Sequence, residues 1–307
     1  MVQFSWQGVF PALLTPFTGD DHIDYDMFDR NLAAQVSAGA SGIILGGTLG
    51  EASSLLNEEK YALVRHSVAR LEGKLPVIMN IAEQTTAAAI ANAKEAEKAG
   101  ASGLMLLPPM RYKADDAETV AYFLAVANNT SLPIMIYNNP VDYKILVTLD
   151  MFEALAAAPN IQAVKESTRD ITNVTRMINR FGDRFHILTG VDTLALESLL
   201  MGAQGWVAGL VDAFPRETVA IFRLAKAGRV AEAVAIYRWF MPLLELDIDA
   251  KLVQYIKLAA TATGIGSATV RAPRLELAGA ELDRVTKIIQ DALAKRPALP
   301  EYLNLPG

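Results

Sequence analysis

The chain has no cysteine in its 307 residues. That excludes disulfides and thiolate metal sites, and it fits a reducing compartment. Histidine is nearly as scarce: His22, His66 and His186 are the whole supply, and no two are spaced as a ligand pair. A metal-dependent lyase is therefore disfavoured, although Glu51 and Asp192 are carboxylates of the kind magnesium takes; that reading leaves the lysine discussed below without a role. No metal site and no cofactor are expected.

Long apolar runs are missing too, so no segment reads as a membrane span. The opening Met1-Val2-Gln3-Phe4-Ser5-Trp6 lacks the basic segment and apolar stretch of a secretory signal. The expectation is a soluble, cytoplasmic protein with no membrane partner. Excess positive charge is lacking as well: the net charge is −6, with no basic run carrying interleaved aromatics, which excludes nucleic acid as a partner. The Gly-x-Gly-x-x-Gly turn of a dinucleotide-binding sheet is absent after the first apolar run.

What is present is an apolar fraction of 52%, enough for a large core, arranged in a repeating cycle. Short apolar runs at 8–14, 42–45, 77–80, 103–107, 133–137, 161–165, 185–189 and 205–209 each precede an amphipathic segment. Those segments open at Asp24, Asn57 (read as an N-cap), about Thr85, Asp116, Thr148, Asp170, Asp192 and Pro215. About eight strand–helix units of roughly 25–30 residues predict an α/β fold, a closed (β/α)8 TIM barrel over residues 1–228. Continuous apolar strands are expected where both faces are buried. Past Gly228 only amphipathic helices follow, near 230–241, 251–263 and 280–294, so 229–307 is read as a C-terminal helical extension.

A barrel keeps its chemistry at the C-terminal ends of its strands. The sixth run ends abruptly in Lys165, followed by Glu166-Ser167-Thr168. An amine where a strand leaves the core is partly stripped of water, which favours its neutral, nucleophilic form. Lys60, Lys94, Lys98 and Lys257 fall in helical patterns, and Lys113 and Lys144 in loops. Gly46-Gly47-Thr48-Leu49-Gly50-Glu51 is a glycine-rich turn whose backbone N–H groups, with the Thr48 hydroxyl, suit a carboxylate. Tyr137 ends the fifth run beside Asn138-Asn139-Pro140, where a phenol near an imine-forming lysine can shuttle protons.

These segments, together with Thr189-Gly190-Val191-Asp192 and the opening Pro11-Ala12-Leu13-Leu14-Thr15-Pro16-Phe17, resemble the dihydrodipicolinate synthase/N-acetylneuraminate lyase family over nearly the whole chain. The resemblance implies a class I aldolase-type barrel, usually a homotetramer, whose lysine forms an imine with pyruvate or another 2-oxo acid. Carried over, Lys165 is the Schiff-base residue, Tyr137 the proton relay, and Thr48 with the Leu49 amide the carboxylate site, with Lys165, Tyr137 and Thr48 taken as the catalytic set. Gly47, Gly190, Val207 and Asn139 complete the substrate-binding set.

The sequence departs from the synthase pattern at three places. Asp142 stands where the synthase carries an arginine for its second substrate's carboxylate, and like charges repel. Leu49 replaces the second threonine of the turn. Arg111, with Tyr112 beside it, replaces the tyrosine expected after the fourth strand. Tyr137-Asn138-Asn139-Pro140-Val141-Asp142-Tyr143-Lys144 and Trp239-Phe240-Met241-Pro242-Leu243-Leu244 are similar to members acting in hydroxyproline breakdown, the 1-pyrroline-4-hydroxy-2-carboxylate deaminases. The expectation is a Schiff-base lyase acting on a 2-oxo acid or cyclic imino acid. The alternatives are a pyruvate-dependent synthase, such as 4-hydroxy-tetrahydrodipicolinate synthase, and a non-catalytic 2-oxo acid-binding protein. A pyridoxal phosphate barrel would place its phosphate near the last two strands, where Gly205-Trp206-Val207-Ala208-Gly209 is too bulky.

Overall fold

A computed structural model describes residues 5–109 and 112–306; the first four residues and Arg111 lie outside them. Eight strands alternate with helices: β1 (Gly8–Pro11), α1 (Tyr25–Ala38), β2 (Ile43–Leu45), α2 (Asn57–Leu71), β3 (Val77–Ile81), α3 (Thr86–Lys98), β4 (Gly103–Leu106) and α4 (Asp116–Ala127). There follow β5 (Ile134–Asn138), the short α5 (Pro140–Tyr143), α6 (Leu149–Leu155), β6 (Ile161–Glu166), α7 (Thr172–Phe181), β7 (His186–Thr189), α8 (Ala195–Leu200), β8 (Gly205–Ala208) and α9 (Pro215–Lys226). The strands are parallel, in the order β1-β8-β7-β6-β5-β4-β3-β2. A parallel bridge between Ala12 and Ile44 and a 2.9 Å hydrogen bond from Leu13 N to Ile44 O bring β1 against β2 and complete the ring.

Local signals explain most helix limits. Asp24 accepts a hydrogen bond from Met27 N at 2.9 Å at the start of α1, and Gly39 ends it at φ 89°, a conformation glycine adopts without Cβ strain. Thr85 and Asp115 cap α3 and α4 in the same way. Asn57 does not cap α2: it is the helix's first residue, and Glu59 Oε2 accepts the Leu56 N–H at 2.8 Å. The carboxylate one turn in does the capping that the sequence pattern assigned to the asparagine side chain. After β7 the chain forms a 3₁₀ turn, Asp192–Leu194, before α8 begins, because the Asp192 side chain is drawn toward β8 instead of capping its own helix.

The extension comprises α10 (Val230–Leu244), α11 (Leu252–Ala262) and α12 (Gly279–Ala294). Phe240 and Phe214 pack edge to face at 5.4 Å, and Trp239 Nε1 donates to Ala292 O at 2.9 Å, so α10 is held between α9 and α12. Pro242 lies inside α10, and the 3₁₀ turn Glu245–Ile248 follows directly. That turn carries the chain back over the barrel mouth. Arg271, on the segment between α11 and α12, reaches the barrel through Glu59 at 2.8 Å. Among the described residues, no helix is long and apolar enough to cross a membrane.

Candidate active site

Lys165 and Tyr137 are register partners on β6 and β5, so their side chains leave the sheet on the same side. The lysine is 7% exposed, and its Nζ stands 4.0 Å over the centre of the Tyr137 ring. Burial lowers its proton affinity below the ordinary 10.5, against the opposing pull of Tyr143, Asp247, Asp192 and Asp142. Burial alone does not single it out, because Lys257 on α11 is also fully buried. Lys257 Nζ, however, is paired with Glu51 Oε1 at 2.5 Å. No carboxylate among the described residues forms an ion pair with Lys165, which leaves its nitrogen the freer nucleophile.

The end of β7 is shaped to the lysine stem. A Cβ on Gly190 would lie 2.2 Å from Ser167 Oγ and 2.6 Å from Lys165 Cε, so any larger residue would push the lysine aside. Asp192, just beyond, accepts from Trp206 Nε1 at 2.8 Å, Gly209 N at 3.1 Å and Leu210 N at 2.8 Å. These bonds tie the loop after β7 to the end of β8. Burial pushes the Asp192 carboxyl up, and the Leu210 N–H pulls it back.

The turn after β2 is fixed from several directions. Asn80 Nδ2 donates to Gly46 O at 2.9 Å and Thr15 Oγ1 to Gly50 O at 2.8 Å. Glu51, at φ 53°, is pinned by Lys257 and by Arg271 N at 3.1 Å. Glu51 and Asp192, weighed above as magnesium ligands, are thus each engaged by protein donors of their own. The Gly47–Leu49 segment between these anchored residues lines the lysine's cavity.

Asn139 and Pro140 open the single turn α5, in which Asn139 Oδ1 accepts the Asp142 N–H at 3.2 Å. Asn139 Nδ2 donates to Asp142 Oδ2 at 2.7 Å and to the Tyr137 hydroxyl at 3.2 Å. The turn brings Tyr143 back over Tyr137, with ring centres 5.4 Å apart and edge to face. Tyr143 Oη and Thr48 Oγ1 share a 2.8 Å hydrogen bond. Burial pushes the Tyr137 phenol up to about 12 and raises that of Tyr143 further. Both phenols are therefore protonated at neutral pH and available as donors.

All the residues singled out from sequence (Lys165, Tyr137, Thr48, Gly47, Leu49, Gly190, Val207 and Asn139) line one cavity of about 70 Å³. A wider outer chamber of about 680 Å³ adjoins it. Among the other lining residues, Tyr143, Ser167, Arg169 and Asp247 bring polar groups that carry no role in the sequence reading. The Asn-Pro start of α5 is the signal for Tyr143, since a turn there places the fourth residue on from Asn139 back over the site. Arg169, at φ 63°, and Asp142 bring opposite charges to the outer chamber. Asp247 comes from the extension, far along the chain, and no local pattern marks it.

Residues 5–292 match the Dihydrodipicolinate synthetase family. The 4-hydroxy-tetrahydrodipicolinate synthase of Sorangium cellulosum (strain So ce56) is 33% identical over 300 residues, covering 97% of this chain and 100% of the relative. The enzyme of the same name from Exiguobacterium sibiricum is 34% identical over 272 residues, 89% of this chain and 92% of the relative. Among solved structures, the 4-hydroxy-tetrahydrodipicolinate synthase of Methylacidiphilum fumariolicum SolV superposes with a TM-score of 0.89 at 30% identity, over 95% of this chain and 98% of that one. A barrel of this topology, matched along almost its entire length, belongs to the dihydrodipicolinate synthetase family, whose members are class I lyases working through a lysine Schiff base.

Proposed function

We propose that Lys165 is the Schiff-base residue and that the substrate is a 2-oxo acid or cyclic imino acid, more narrowly 1-pyrroline-4-hydroxy-2-carboxylate, which the enzyme deaminates. The observation that carries the lysine's role is a buried amine without an ion-pair partner, over Tyr137 and facing the Gly47–Leu49 turn. The narrower substrate rests on Asp142, which stands in the chamber where a synthase needs a cation for a second carboxylate. In this reading Gly47, Thr48 and the Leu49 amide hold the substrate carboxylate. Gly190, Val207 and Asn139 shape the rest of the cavity, and Tyr137 with the Thr48–Tyr143 pair moves protons. No cofactor is required.

The chemistry is balanced. Lys165 adds to C2 of the cyclic imine, and the ring nitrogen leaves C2 as a primary amine still attached to C5. Loss of a C3 proton gives the enamine, whose electron pair expels the C4 hydroxyl as water. A proton shift from C5 to C3 leaves a C4=C5 enamine, a second from its nitrogen to C4 gives the C5 imine, and hydrolysis of that imine releases ammonia and an aldehyde. Hydrolysis of the C2 imine frees Lys165 and a 2-oxo acid semialdehyde. One water leaves and two enter, a net uptake of one.

A second reading, pyruvate-dependent condensation with an aldehyde, draws on the names of the relatives and on Arg169, a cation lining the same chamber. Purified enzyme supplied with each substrate set separates the two. Ammonia release from the pyrroline supports the deaminase; its absence alongside efficient condensation overturns it. A cytoplasmic location and a homotetramer are the setting we propose, and sedimentation of the purified protein tests the latter.

A further inference from the structure

The chemistry proposed above needs a proton at the departing C4 hydroxyl, and the phenols lie on one side of the lysine only. Tyr137 is on β5, Lys165 on the neighbouring β6, and Tyr143 on the turn that follows β5. On the other side, over the ends of β7 and β8, stands the carboxyl of Asp247. It is delivered by the 3₁₀ turn Glu245–Ile248 of the extension. Its place is fixed: a Cβ on Gly209 would lie 2.5 Å from Asp247 Oδ1, and the Asp192 backbone N–H faces the same carboxyl. It lines both the inner cavity and the outer chamber. No salt bridge to a lysine or arginine is formed by it among the described residues, unlike Glu51 or Glu217, which are bound to Lys257 and Arg296.

We propose that Asp247 is the acid–base group for the leaving hydroxyl. In its acid form it gives its proton to the C4 oxygen as the enamine pair forms the C3–C4 double bond and the C4–O bond breaks. The resulting carboxylate stands beside the iminium on Lys165 and then takes the C5 proton, regaining its acid form as the electron pair moves toward C3. No co-reactant beyond the substrate is needed. Burial and the nearby Asp192 raise the proton affinity of Asp247 well above the usual carboxylate range, while Lys165 opposes them. A carboxyl whose proton affinity is raised by its surroundings is suited to general-acid work, provided it also reaches the leaving oxygen.

This assignment rests on the Lys165 reading, and the test keeps the two apart. Asp247→Asn and Gly209→Ala are compared with the unmodified enzyme by two readouts: borohydride trapping with pyruvate, and ammonia release from 1-pyrroline-4-hydroxy-2-carboxylate. The alanine at 209 displaces the carboxyl without changing its chemistry. Expected are pyruvate adducts that still form on Lys165 in both variants, and ammonia release slowed by about 10²–10⁴-fold in Asp247→Asn, with a smaller loss in Gly209→Ala. Unchanged turnover in Asp247→Asn overturns the role of Asp247 alone. Loss of the pyruvate adduct in both variants also overturns it, because Asp247 would then serve the lysine and not the leaving group. No ammonia release from the unmodified enzyme overturns the deaminase reading and this inference with it, and no pyruvate adduct either overturns the Lys165 reading as well.

Discussion

The Lys165 amine lies 4.0 Å over the face of the Tyr137 ring, while the phenol oxygen accepts a hydrogen bond from Asn139 Nδ2 at 3.2 Å. Ring and hydroxyl therefore do different work. The ring packs over the nitrogen; the hydroxyl is held at one edge, where the proposed relay needs it. Tyr137→Phe preserves the first and removes the second. It is expected to retain a borohydride-trappable adduct while turnover falls by about 10²–10⁴-fold. Tyr137→Leu, which lacks the aromatic face as well, should lower the adduct yield too. Single-turnover trapping beside steady-state rates resolves the two effects.

The Thr48–Tyr143 hydrogen bond of 2.8 Å joins the Gly47–Leu49 turn to α5. Tyr143→Phe leaves the turn in place and breaks the chain of hydroxyls. A fall in kcat of about 10²-fold with little change in KM is expected. If Thr48 binds the substrate carboxylate as proposed, Thr48→Val removes that contact in addition and should raise KM as well. A matching rise of KM in Tyr143→Phe would show that the phenol binds substrate and moves no proton.

Gly190→Ala tests the fit at the end of β7. The added methyl meets Ser167 Oγ and the Lys165 stem at 2.2 and 2.6 Å, so the lysine side chain must move. Relief by a flexible side chain keeps the cost in stability to about 1–3 kcal/mol. Displacement of the nucleophile by about an ångström should cost about 10²-fold in adduct formation. Thermal unfolding and trapping rates, measured on one preparation, check both parts.

What is legible in the sequence is set by distance along the chain. The strands are continuous apolar runs, so all eight stand out, and the barrel rule then points to their C-terminal ends. Lys165, Tyr137, Thr48 and Gly190 sit at such ends and were legible. Leu13 and Leu14 were not separable from β1 by pattern, because the loop that follows is also buried. Asp247 was invisible for a different reason: it reaches the cavity only through the packing of α10 on α9 and α12, which no local spacing encodes. Lys257 looked like any helical lysine, and its burial becomes apparent only once Glu51 is placed beside it.

The Glu51–Lys257 pair is buried on both sides, at 0% and 1% side-chain exposure. Removing one partner strands the other's charge. Lys257→Met is expected to destabilise the fold by about 3–5 kcal/mol and to loosen the turn that Glu51 anchors. Glu51→Gln combined with Lys257→Met should recover part of that loss, because no unpaired charge remains. Denaturant unfolding of the two single variants and the double one measures the coupling.

The most direct test is reduction with borohydride in the presence of pyruvate or the pyrroline, followed by mass mapping of the digested protein across pH. The account predicts one adduct, on the peptide carrying Lys165 and none on that carrying Lys257. It should form at neutral pH, because burial holds the Lys165 amine's proton affinity below 10.5 and so raises the neutral fraction there. An adduct located on another lysine, or a Lys165→Met variant that is trapped as readily as the unmodified enzyme, would contradict it.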